Sequence, residues 1–389
     1  MKYLLLLSSF IIGFYIPSNA QNAEKSWMGR TTGKLPSIAY GLGEDRLGGA
    51  KLGYIDTGVI VKVIDSAGDM YHVQLSKQHS AFIEKRYVEK DTLTIEKPYH
   101  LTNSWKAEGS GGYDVLSISM DEKLPYKSWM EIDPSKVMIE LYGVQTNTNW
   151  ITQLQSLKEI KNIYYNQVED DVLQITVELK HRQHWGYSLN YKGKLLQLKV
   201  KRQPEKLDLR KLTIAIDAGH GGSNAGADGI TLKASEKEYT LLFAKALEKQ
   251  LKKQKVKVIM TRTTDTTFDM KDRILFLQEK NPDVLLSLHL NSSGSSLVKG
   301  SSTYYKYIGF RPLSQAILKR MLEIGMDEFG NVGNFNFGLN GPTDFINCLL
   351  EIAFLSNESD ERKVVNPKFQ ALVARQIIKG LNDWLKEIK

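Results

Sequence analysis

A single cysteine, Cys348, occurs in 389 residues, so no disulfide can close within one chain. Stability must then come from packed cores, which a chain of this length can build. Long apolar runs are also scarce. The one at Tyr3–Ile16 is shorter than the roughly 20 residues needed to cross a bilayer, and no later segment approaches that length. Basic stripes with interleaved aromatics are missing too, which excludes nucleic acid as a partner. The lysines between Lys249 and Lys257 alternate with apolar residues, as on a solvated helix face. What is present, 42% hydrophobic and 25% charged residues, excludes a disordered chain and fits two or three globular domains.

The opening MKYLLLLSSFIIGFYIPSNA has a lysine, an apolar core and a small-residue ending at Ser18-Asn19-Ala20. It reads as a signal peptide over residues 1–20, cleaved before Gln21, and predicts export to the periplasm or the extracellular envelope. No cysteine adjoins the cleavage site, so lipoprotein processing is excluded. Loss of Lys2 takes the formal charge from +8 to +7. That excess suits an anionic partner such as a cell-wall polymer.

Three regions follow. In residues 47–95, Val59, Val61 and Val63 alternate, Ser66–Asp69 makes a turn, and Tyr71, Val73 and Leu75 alternate again, predicting a small barrel. In residues 110–202, Leu116, Ile118 and Met120, then Val137, Ile139 and Leu141, then Leu173, Ile175 and Val177 predict half-buried strands of a β-sandwich. Residues 203–210, beginning QPEKLD, read as a linker. From 211 to 389 strands (212–217, 256–261, 284–289, 348–353) alternate with helices (235–254, 269–280, 311–328, 368–388). The fold class is therefore an α/β domain with a mostly parallel sheet, preceded by two small all-β domains.

Parallel sheets carry their chemistry at the carboxyl ends of strands. His220 stands there in TIAIDAGHGGSNAG, and His289 ends DVLLSLH. Glu351 interrupts the apolar CLLEIAF, and Glu236 opens a helix. Two imidazoles and a carboxylate at such positions form a zinc set that leaves one place for water, with a further acid beside it. The helix start offers two glutamates. Ser235 and Glu238 fit a capping box, which leaves Glu236 as the ligand. Cys348, three residues from Glu351, falls on the other face of its strand as an inert thiol. His181 and His184 read as a surface turn without acids nearby. Arg262 and Asp265 are expected to pair beneath the site.

The segments IDAGHGGSNAG, SEKEYTL, MTRTTD, SLHLNS and LLEIAFLSN occur in this order. Together they resemble the zinc-dependent N-acetylmuramoyl-L-alanine amidases, or type 3 amidases. The resemblance implies zinc (Zn2+) on His220, Glu236 and His289, with Glu351 the catalytic base and acid toward a zinc-activated water. It implies peptidoglycan as substrate, cut between N-acetylmuramic acid and L-alanine. A zinc peptidase acting on stem peptides, or an inactive wall-binding protein, is the alternative. Ala218 and Ala353 stand where that family favours proline and glycine, and both changes are small. Some members carry an inhibitory helix after the second histidine, for which the span from Asn291 to Ser301 leaves no room. GVIVKVIDSAGDMYHVQL with AFIEKRYV resembles bacterial SH3-like domains, and the 110–202 region is similar to amidase targeting modules. Both imply wall or envelope contacts, and the chain is expected to be a monomer.

Overall fold

The computed structural model describes residues 26–39 and 51–389; the signal peptide expected at 1–20 lies outside them. The first sheet is antiparallel and runs Lys51–Tyr54, Ser37–Ala39, Ser80–Glu84, Met70–Gln74, Ile60–Ala67, Trp27–Thr31, Val88–Lys90. It takes in two strands ahead of residue 47. Each is at most five residues long, too short to display a period-two signal.

Two further sheets span residues 100–201. One has four strands, with Ser135–Tyr142 and Val172–Leu179 at its centre. The other centres on His100–Ser110, Tyr113–Met120 and Leu195–Lys201. Trp105 of the second meets Tyr165 of the first at 5.3 Å between ring centroids. The strand His100–Ser110 begins ahead of the expected boundary at 110. A register shift between Thr102 and Trp105 breaks its alternation, which hides it from a pattern search. Val172–Leu179 is buried on both faces over most of its length, not on one.

In the C-terminal region the elements are β1 (Thr213–Ala218), α1 (Glu236–Lys253), β2 (Lys257–Met260), α2 (Met270–Lys280), β3 (Val284–Asn291), β4 (Ser301–Tyr304), α3 (Arg311–Leu322), β5 (Glu328–Val332), β6 (Ile346–Phe354), α4 (Glu358–Val364) and α5 (Pro367–Glu387). The sheet order is β2-β1-β3-β6-β4-β5. It is mixed: β4 runs antiparallel to β6, whereas its other pairings are parallel. Helices cover both faces. Ile214 and Ile216 join Phe243, Leu247 and Ile377 in one core, and Ala215 and Leu285 join Ile274 and Leu277 in another. Coverage on both sides explains why β3 and β6 are nearly continuous apolar runs. α3 stops at Leu322, short of the expected 328. Gly325 turns the chain at φ +78° and releases it into β5. Residues 292–300 hold no helix, and no described helix is long and apolar enough to cross a membrane.

The β-rich and α/β regions share one core. Trp185 lies 5.5 Å from Trp384, whose indole donates to Gln183 at 3.1 Å. His184 is therefore no surface turn. It is 2% exposed, within 2.8 Å of the Glu131 carbonyl and 3.1 Å of Ser135 Oγ. His181 does have an acid beside it, Glu159 at 2.7 Å. Elements remote in sequence pack over the turn, which the local sequence could not reveal. Burial pushes His184 from 6.5 down to about 4. The unfolded chain then binds a proton that the folded one refuses, so stability falls as pH drops through that window. We expect a loss of roughly 3 kcal/mol from this group. Denaturant unfolding at pH 7, 5.5 and 4 should show a shallower acid decline for His184→Gln.

Candidate metal centre

β1 delivers Asp217 and Ala218 to the exit end of the sheet, where the chain breaks into the glycine loop. His220 adopts φ +61°, a left-handed backbone rare outside glycine. Two arginines hold it there. Arg262 donates to the carbonyls of Ala218 and Gly219, each at 2.9 Å, and Arg273 donates to the His220 carbonyl at 3.1 Å. Arg273 is itself paired with buried Asp217 at 2.7 Å. Its charge and the neighbouring hydroxyls outweigh burial and keep the Asp217 carboxyl below its usual range. The expected Arg262–Asp265 pair does not form. Arg262 turns under the loop to donate to the carbonyl oxygens of Ala218, Gly219 and Lys237, and Asp265 instead accepts from Lys237 at 2.9 Å. Gly219 is required, since a Cβ there would run into the His289 ring.

The histidines meet on one carboxylate. His220 Nε2 and His289 Nδ1 both lie 3.0 Å from Glu236 Oε1, and the rings are 5.0 Å apart at 78°. One donor atom from each of the three fits within 4.8 Å of the others, a set that could hold a metal ion. The backbone N–H of Leu290 donates to Glu236 Oε1 at 3.0 Å and that of Ala227 to Oε2 at 2.8 Å. Burial pushes this carboxyl up, but His220 and His289 in their protonated forms outweigh it and hold it well below its usual range. Burial pulls His289 down, whereas Glu236 and the charge of Glu351 raise it to a net upward shift.

Glu236, not Glu238, faces the histidines, although the capping box does not form. Ser235 makes no side-chain capping bond, and Glu238 lies exposed. The choice between them is made by Ala227 and Leu290, whose amides draw the Glu236 carboxylate inward.

Glu351 on β6 is in register with His289 on β3. Facing neighbours in a sheet point the same way, so its carboxyl lies beside the cluster. It is 7% exposed, and its Oε2 has no hydrogen-bond partner among the described residues. Burial, with the nearby Glu236 charge, raises it to about 7, against the opposing pull of His289. Cys348 is 1% exposed on the opposite face, and burial pushes its thiol far up, which leaves no thiolate at neutral pH.

Sequence reasoning missed Asn224, whose side-chain oxygen sits 2.9 Å from His220 Nδ1. That oxygen can only accept, so Nδ1 carries the proton and Nε2 keeps its lone pair for the cluster. The residue lies inside the quoted GHGGSNAG loop, but its fold back onto His220 is invisible in one dimension. Asn224→Ala should weaken metal binding about 10–100-fold, by competition with a chromogenic chelator, without lowering the thermal midpoint.

Residues 214–383 match the family model described as N-acetylmuramoyl-L-alanine amidase. A "probable cell wall amidase LytH" of Staphylococcus saprophyticus is 31% identical over 193 residues, 49% of this chain and 65% of that protein. Its counterpart in Staphylococcus aureus is 32% identical over 178 residues, 46% of this chain and 60% of that protein. The chain thus spans less than two thirds of these curated relatives. Among solved structures, the catalytic domain of CwlV, an amidase from Bacillus (Paenibacillus) polymyxa, is 33% identical with a TM-score of 0.43. The match covers 46% of this chain and 99% of that one. An N-acetylmuramoyl-L-alanine amidase from Clostridium difficile 630 is 31% identical, TM-score 0.44, over 46% and 98%. By this match, the α/β part of the chain, residues 214–383, is similar to the N-acetylmuramoyl-L-alanine amidase family, a family of enzymes.

Proposed function

We propose that the protein is an exported, zinc-dependent hydrolase that cuts the amide between N-acetylmuramic acid and L-alanine in peptidoglycan. The observation that carries this reading is the buried, unpartnered Oε2 of Glu351 beside a two-histidine, one-carboxylate cluster. An orphaned acid in a low-dielectric site costs stability and is kept where chemistry uses it.

His220 Nε2, His289 Nδ1 and Glu236 Oε1 would hold the zinc, a donor set of nitrogen and oxygen that suits this ion. When bound, zinc polarises the scissile carbonyl and lowers the pKa of water toward roughly 7. Glu351 takes the proton of the attacking water on Oε2 and hands it to the departing alanine nitrogen. A carboxyl poised near neutrality can do both. The Asp217–Arg273 pair and Arg262 keep the His220 loop in its strained shape through the cycle. The front β-rich segments, SH3-like at 47–95 and of amidase-targeting type at 110–202, would hold the enzyme on the envelope as a monomer. The segment at 203–210 is proposed to join them to the catalytic domain at 211–389.

Digestion of purified sacculi, with and without chelator, tests the assignment. Mass spectrometry should find intact stem peptides with free L-alanine amino ends, and chelator should abolish them. Cuts inside the stem peptide would indicate a peptidase instead, and no products at all an inactive wall-binding protein.

A further inference from the structure

A cleft of about 680 Å3 lies where the β-rich region meets α3 and the end of α5. β4 runs antiparallel to β6, so the chain leaves β4 toward the entry end of the sheet before it reaches α3. The metal cluster occupies the exit end, and the cleft is a separate place.

Its walls are cationic. Lys180, Arg182 and Arg311 line it over an apolar floor that includes Ile308, and Glu387 is the one acidic side chain among its lining residues. The Lys180 ammonium donates to the Leu157 carbonyl at 3.0 Å. The guanidiniums of Arg182 and Arg311 are exposed and have no hydrogen-bond or ion-pair partner among the described residues. Arg202, Arg273 and Arg320, by contrast, are each held by a carboxylate.

The backbones that carry the two free guanidiniums are joined. Gln183, next to Arg182, donates through its side-chain amide to the carbonyls of His184 and Gly309, each at 2.8 Å. Gly309 lies two residues before Arg311. The clamp ties the two backbones together, so both guanidiniums are offered to the same cleft.

We propose that this cleft is an exosite for a polyanionic chain bearing phosphodiester or carboxylate groups, by which the protein is held to wall material while the metal centre acts elsewhere. The cleft is too large for one inorganic anion, and its two guanidiniums match planar or tetrahedral oxyanions on a polymer. That the polymer belongs to the wall rests on the amidase reading; the anion chemistry does not.

The test uses the full chain in chelator, so that nothing is cut. Its co-sedimentation with purified sacculi is measured with and without hydrofluoric acid treatment, which strips phosphodiester polymers. Thermal unfolding and hydrolysis of a soluble muramyl peptide by the metal-loaded protein are measured in parallel. Arg182→Glu/Arg311→Glu should bind sacculi at least about tenfold more weakly at low salt, with unfolding and soluble-substrate hydrolysis unchanged. Arg182→Gln/Arg311→Gln should fall between the two and serves if charge reversal unfolds the protein. Wild-type binding should fade as salt is raised past about 0.15 M. Loss of binding on acid stripping assigns phosphodiesters, and its persistence assigns carboxylates. Equal sedimentation of wild type and both variants would overturn the proposal. Because sedimentation is scored without turnover, a failed amidase assay and a failed exosite give different results.

Discussion

Glu351→Gln should lose about 10²–10⁴-fold in kcat on purified sacculi while its zinc content stays at the wild-type level. The replacement keeps the shape of a side chain that is 7% exposed, so packing in β6 is preserved. What it removes is a proton acceptor raised to about 7 by burial. The wild-type Oε2 has no partner among the described residues, so no native hydrogen bond of that oxygen is sacrificed and the thermal midpoint should hold or rise. A structural role for Glu351 predicts the opposite pattern, with lowered stability and retained turnover. Metal analysis, calorimetry and product counting on one preparation therefore separate the two. Turnover near wild type would end the assignment.

The second large effect falls on the glutamate shared by the histidines. Glu236→Gln should bind zinc more than about 100-fold more weakly and lose turnover in proportion, since a neutral amide replaces the charged oxygen that sits 3.0 Å from both imidazoles. Glu238→Gln, two residues on and exposed, should change neither quantity. The pair is a sharp comparison because both residues lie in the first turn of α1. Equal metal affinity in the two variants would remove Glu236 from the site. Full affinity in Glu236→Gln with turnover lost would move it from metal binding to another task.

The candidate centre was largely legible because its residues break local rules. His220 and Glu351 interrupt a glycine loop and an apolar strand, and such interruptions are visible without a structure. The partners that orient them were not. Arg262 was matched to Asp265 by charge and nearness, yet it serves carbonyl oxygens exposed by the turn after β1. Most of its partners are backbone atoms, which carry no signature in residue identity. Ser235 was read as a side-chain helix cap, but its backbone carbonyl accepts from the Glu238 N–H at 3.1 Å, and the adjacent loop takes the Glu236 N–H on the Ala227 carbonyl at 2.8 Å. The short strands Trp27–Thr31 and Ser37–Ala39 were missed because pairing, not propensity, makes them strands.

Taken alone, the order of residues determined the alternation of strands and helices after residue 211, four ionisable side chains that break local patterns, and the absence of any disulfide within the chain. Those features depend on period, composition and neighbours a few positions away. Only the tertiary structure decided that His220 and His289 converge on one Glu236 oxygen, that Asn224 sets a tautomer, and that His184 is sealed beneath Gly309. The first and last join segments remote along the chain, and the Asn224 contact depends on a loop fold; their geometry is set by how the chain packs, a quantity that no local pattern encodes.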